Sequence, residues 1–119
     1  MKEIKTEQDL SEFLKKKRAI LFFHAPWSGY AMISKTMIEF VETYAKTGHE
    51  DVSFHFGVFE DERIPLADTL VATGVPATTV FTGNGSLSFF RSGQHIHTLP
   101  SVIGNGTFAV WRHIDEIFG

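Results

Sequence analysis

Apolar residues recur along the chain in blocks whose period changes from one block to the next. Thr6 and Asp9 stand at capping-box spacing and are followed by Leu10, Phe13 and Leu14, which predicts a helix over Thr6 to Lys17. Ala19-Ile20-Leu21-Phe22-Phe23 is an unbroken apolar run, the pattern of a strand covered on both faces, as in parallel sheets. Beyond Ala25-Pro26-Trp27 the period returns to that of a helix. Met32, Ile33, Thr36, Met37, Phe40, Val41 and Tyr44 form one stripe of a helix ending near Gly48.

In the second half, Val52, Phe54, Phe56 and Val58 alternate with Ser53, His55 and Gly57, which predicts a second strand. Asp61-Glu62-Arg63-Ile64-Pro65 opens a short helix carrying Leu66, Ala67, Leu70 and Val71, with Gly74 as its stop. Thr78 to Thr82 and Leu87 to Arg91 flank Gly83-Asn84-Gly85, and two β-rich runs about such a turn predict a hairpin. Phe108, Trp111, Ile114 and Phe118 behind Thr107 predict a closing helix, and Gln94 to Gly106 reads as irregular. The elements make one α/β domain over residues 1–119: a mixed central sheet of four to five strands with helices on both faces.

Composition narrows the chemistry. None of the 119 residues is cysteine, which excludes a disulfide framework, a zinc–thiolate site and a thiol nucleophile within this sequence. With 11 Lys plus Arg against 14 Asp plus Glu, the formal charge of -3 argues against a nucleic-acid partner. The basic run Lys15-Lys16-Lys17-Arg18 follows a predicted helix and complements its dipole. The charged start Met1 to Glu7 shows no apolar leader, and the apolar stretch from Ala19 to Trp27 is less than half a membrane span. A soluble, cytoplasmic protein without a membrane partner is expected.

Two local motifs resemble the thioredoxin family. Phe22-Phe23-His24-Ala25-Pro26-Trp27-Ser28-Gly29-Tyr30-Ala31 is similar to that family's strand end and A-P-W-C-G-P-C turn, with Ala25, Pro26, Trp27 and Gly29 matching. Gly74-Val75-Pro76-Ala77-Thr78-Thr79-Val80-Phe81, with the turn at Gly83-Asn84-Gly85, resembles its G-I-P-T strand and N-G hairpin. Gly93 falls where the family places the glycine closing the active-site surface. The resemblance implies a thioredoxin fold and a cis peptide bond before Pro76. The backbone of Val75 would then pair with an extended substrate chain.

The departures govern the function. Ser28 and Ala31 stand at the places of the redox cysteines, Phe22 at that of a buried acid, and His55 in the region of the lysine accompanying it. No dithiol can form. Ser28 is also a poor nucleophile, because a helix dipole shifts a pKa by no more than roughly 1.5 units and a hydroxyl needs a general base as well. A serine cap on the following helix accounts for it. His95 and His97 would face one side of an extended segment but lack a third metal ligand; His24 and His55 read as partly buried, and His49 as an exposed residue at a helix end.

Neither a metal nor a cofactor is expected. What survives the loss of the thiols is the binding surface, so the resemblance implies a redox-inactive module, of chaperone or adaptor type, that binds a protein or peptide partner. Its groove would comprise Trp27, Ser28, Gly29, Tyr30, Val75, Pro76 and Gly93. Two alternatives accompany it: a monothiol thioredoxin- or glutaredoxin-like oxidoreductase with Ser28 in place of a native cysteine, and a hydrogenase-maturation chaperone, whose thioredoxin-like relatives contain a stretch similar to Pro76 to Gly83.

Overall fold

The first predicted helix begins with a closed capping box. Thr6 Oγ1 accepts from the Asp9 amide at 3.1 Å, and the Asp9 carboxylate accepts from the amides of Thr6 and Lys5 at 3.1 and 3.0 Å. The Lys5 amide in particular holds the Asp9 carboxyl below its ordinary pKa. Three backbone amides at the helix start are thereby satisfied by partners no more than four residues away. The computed structural model describes residues 1–45, 48–59, 64–82 and 85–119.

Within these residues the chain runs β1 (Lys2–Glu3), α1 (Glu7–Leu14), β2 (Arg18–Phe23), α2 (Ala31–Ala45), β3 (Val52–Gly57), α3 (Ile64–Thr73) and α4 (Ala77–Thr82). It continues through β4 (Leu87–Arg91), β5 (Gln94–Leu99), α5 (Val102–Asn105) and α6 (Thr107–Phe118). The sheet has the order β1-β3-β2-β4-β5, with β1 and β2 parallel to β3, and β4 antiparallel to both β2 and β5. This is the expected mixed sheet. Its edge strand β1 went unread because two charged residues carry no period.

Central strand β2 divides the core. Ile20 and Phe22 face one layer with α2 and α6, whereas Ala19, Leu21 and Phe23 face the other with α1, α3 and α4. All five side chains are fully buried, as the unbroken apolar run requires. Strand β4 does the same with Phe89 and Phe90, one in each layer.

The predicted hairpin at Gly83-Asn84-Gly85 is displaced. Thr78 to Thr82 is helical, and residues 83–84 lie outside those described. The hairpin joins β4 to β5 instead, turning at Ser92 and Gly93 with φ of 51° and 80°, the two positive angles of a type I′ turn. The β-rich composition of residues 78–82 predicts a strand by propensity alone. The place beside β2 is held by Leu87–Arg91, whose two phenylalanines fill both core layers, and packing overrides propensity. Gln94 to Gly106, expected to be irregular, therefore contains β5 and α5. The predicted opening of α3 at residues 61–63 lies outside the described residues.

Helix α2 is also rotated from its expected phase. Ser34, Ile38, Val41 and Ala45 form the buried stripe, while Met32, Ile33 and Phe40 are exposed. In α6, Val110, Ile114 and Phe118 are buried and Phe108 projects outward. A β-bulge between Phe89 and Phe90 pairs these residues with His97 and His95, respectively. The extra residue breaks the strand's alternation, so His95 meets Phe90 on one face while His97 stacks on His113 of α6 at 5.4 Å from the other. The two histidines do not converge as a ligand pair. His49 is not free at its helix end: its Nε2 lies 2.6 Å from an Asp115 oxygen and its ring packs edge-on to Trp111.

Candidate functional site

Strand β2 ends at Phe23, and the chain turns through His24 to Tyr30 before α2 begins. The turn is held by His24 N–H donating to Gly57 O at 2.9 Å and Ser28 N–H to Ala25 O at 2.9 Å. The Ser28 hydroxyl oxygen accepts from the Tyr30 amide at 3.2 Å, and Ser28 O from the Ala31 amide at 3.1 Å. Ser28 is therefore a local cap of the chain entering α2, satisfying an amide just ahead of the helix. Trp27 and Tyr30 stand exposed on either side of it, with Pro26 and Gly29 also exposed.

Behind this turn is a cavity of about 380 Å³. Its floor is Phe22 and His24, its near wall is Ser28, Ala31 and Ser34, and its far wall is Gly85 and Ser101. Gly85 is brought there by the continuation of the ladder beyond β4, where Phe23 N–H donates to Ser86 O and Gly85 N–H to Phe23 O. Its φ of +71° and its closeness to Ser34, whose Oγ is 3.1 Å from where a Cβ would stand, both favour glycine. His24 Nδ1 is buried without a hydrogen-bond partner among the described residues. Burial, then the charge of Lys35, lowers the His24 pKa, with Glu3 opposing, so the ring is neutral at pH 7.

The expected proline groove is not assembled. No peptide bond among the described residues is cis, so the Val75–Pro76 bond is trans. Val75 is fully buried, and Pro76 O accepts from the amides of Thr79 and Val80, which makes Pro76 the start of α4 rather than a platform for a substrate strand. A Cβ on neighbouring Gly74 would lie 3.5 Å from His95, which pairs with Phe90 toward the β4–β5 hairpin. That hairpin is beside Arg18, at the start of β2, whereas Ser28 follows its end. Val75, Pro76 and Gly93 thus lie at one end of the sheet, and Trp27, Ser28, Gly29 and Tyr30 at the other. Gly93 serves the hairpin turn, where a Cβ would meet Leu14 O at 2.7 Å.

The position expected for a buried acid holds an apolar side chain, Phe22, fully buried. Phe22 pairs across the sheet with Phe56, and the Lys35 ammonium lies 4.7 Å from the Phe56 ring. His55, expected beside Phe22, points into the opposite layer, where its ring meets Phe13 edge-on at 4.9 Å. Its Nε2 is 2.7 Å from Ser53 Oγ, and burial pushes its pKa down to about 4. Sequence reasoning missed Ser34, Gly85 and Ser101. The serine in the otherwise apolar stripe of α2 was the one available signal.

The turn and fold together define a thioredoxin-fold domain that carries Ser28 and Ala31 in place of a dithiol. The same architecture is found in Plasmodium falciparum thioredoxin, which is 18% identical with a TM-score of 0.68, covering 98% of this chain and 99% of that one. Thioredoxin O2 from Arabidopsis thaliana, in its oxidized state, is 16% identical with a TM-score of 0.66, covering 99% of this chain and 94% of that one. Mitochondrial thioredoxin 3 from Saccharomyces cerevisiae, in its oxidized form, is 16% identical with a TM-score of 0.66 over 98% and 95%. No family model and no curated protein matches the sequence. The likeness is one of fold.

Proposed function

We propose that this domain is a redox-inactive binding module, of chaperone or adaptor type, that holds a partner protein through an apolar segment of that partner. The supporting observation is the outward face of α2 and the start of α6. Met32 is 81% exposed, Phe108 86%, and Ile33 and Phe40 more than half, around a groove of about 690 Å³. Trp27 and Tyr30, in the turn just ahead of α2, are exposed as well. Monomeric proteins rarely leave so many large apolar side chains together in water, and contiguous apolar patches of this kind commonly mark interaction sites. Trp27, Ser28, Gly29 and Tyr30 remain in the proposed surface, which extends along α2 in place of the proline groove.

The test places a photo-crosslinking residue at Met32 and, as control, at exposed Asp68 on α3. A partner adduct formed from position 32, absent from position 68 and lost on Phe108→Glu supports the reading. Identical adducts from both positions, or adducts only between copies of this chain, refute it. Exposed positions of this type change stability by no more than about 0.5 kcal/mol, so loss of the adduct in a folded variant reports the surface.

A further inference from the structure

We propose that the cavity behind Ser28 is a binding site for a carboxylate carried on a short organic or peptide chain. This goes beyond the partner surface on α2 and needs only the cavity's own groups. Ser28 Oγ and Ser101 Oγ each already accept a backbone amide, from Tyr30 and from Gly104, so what each hydroxyl has left to offer includes its proton. Ser34 is nineteen-twentieths buried; its backbone N–H donates to Tyr30 O, while its hydroxyl lies toward Gly85 across the cavity and has no hydrogen-bond partner among the described residues. His24 Nδ1 is likewise buried and unpartnered, and a neutral imidazole can present N–H there. An unsatisfied buried polar atom is costly, and the residue that carries one here, His24, lines the same cavity as the unpartnered Ser34 hydroxyl, which together point to a ligand.

The sign of that ligand follows from its surroundings. The cavity lies at the start of α2, a 15-residue helix whose first amides have no acceptor within the helix and whose dipole is positive at this end. Lys35, one residue beyond Ser34, adds a cation whose charge reaches His24. No Asp or Glu lines the cavity. No Lys or Arg lines it either, which disfavours a phosphate dianion, whose usual partners are those side chains. Phe22, Ala25 and Ala31 supply apolar wall for the carbon chain, and the volume of about 380 Å³ is that of a small-ligand site.

The experiment follows backbone amide shifts of residues 30–34 and the His24 ring by NMR in the intact chain. Propionate, a trialanine peptide with a free C-terminus, the same peptide amidated, and inorganic phosphate are titrated in turn. Saturable shifts with propionate or the free-acid peptide, at least tenfold weaker binding of the amidated peptide, and at least threefold weaker carboxylate binding in Ser34→Ala are expected. Tighter binding of the peptide than of propionate identifies a chain terminus as the source; the reverse identifies a free organic acid. No saturable shift with either carboxylate, equal affinity for the amidated peptide, preference for phosphate, or unchanged affinity in a folded Ser34→Ala protein overturns the proposal.

Discussion

Acidification is expected to destabilise this protein in part through one side chain. His55 sits on β3, buried to within 4% of complete and packed edge-on against Phe13, with Ser53 Oγ on Nε2 and no partner on Nδ1 among the described residues. Burial, reinforced by the charges of Lys16, Lys2 and the N-terminus and opposed by Asp9, lowers its pKa from 6.5 to about 4. Between these two values the unfolded chain binds a proton that the folded chain refuses, so stability rises with pH across that window and is lost as pH falls through it. At about 1.4 kcal/mol per unit, the full difference is at most about 3 kcal/mol, a large share of the stability of a small domain. Urea unfolding of the wild type and of His55→Phe between pH 7.5 and 4 measures it. Phenylalanine keeps the ring contact with Phe13, and half-buried Ser53 can turn to water. His24 and His95, whose pKa values burial also lowers, add to the acid loss in both proteins and cancel in the comparison. The depressed carboxyl of Asp9 acts with the stability it adds lost only as pH falls below 3.8, outside the window. The wild type is expected to lose up to about 3 kcal/mol more than the variant between pH 6.5 and 4. Parallel pH profiles would refute the assignment of the acid sensitivity to His55.

Gly93→Ala forces a side chain onto a residue at φ +80° and drives its Cβ to 2.7 Å from Leu14 O, so a loss of at least about 1 kcal/mol in thermal unfolding is expected; an unchanged midpoint refutes the β4–β5 turn described here. Ser28→Cys places a lone thiol ahead of α2, so its alkylation should titrate below the ordinary value of about 8.5, with no catalytic turnover of a disulfide because Ala31 supplies no second thiol. An unshifted alkylation profile would show that the helix terminus does not act on position 28.

Both the class of fold and the seat of its missing chemistry were legible in the sequence, for identifiable reasons. The Ala19 to Phe23 run must be covered on both sides, and the Thr6–Asp9 box closes through contacts three residues apart. The Ala25-Pro26-Trp27-Ser28-Gly29 turn is equally local. The site built around that turn was less legible, because its other wall comes from Gly85 and Ser101, more than fifty residues away. The groove expected at Pro76 failed for the same reason as the hairpin: a β-rich string can be strand or helix according to what else competes for the place beside β2.

The sequence by itself determined that this chain has no thiol to exchange, because an absent atom cannot be supplied by folding. It also determined that β2 is central, since only a covered strand tolerates five consecutive apolar side chains. The tertiary structure alone decided which of two apolar stripes on α2 is buried, which residues form the hairpin, and that Ser34 and His24 share a cavity. These depend on pairings between segments distant in sequence, where the free energy of filling both core layers outweighs the small local preferences that a pattern can express.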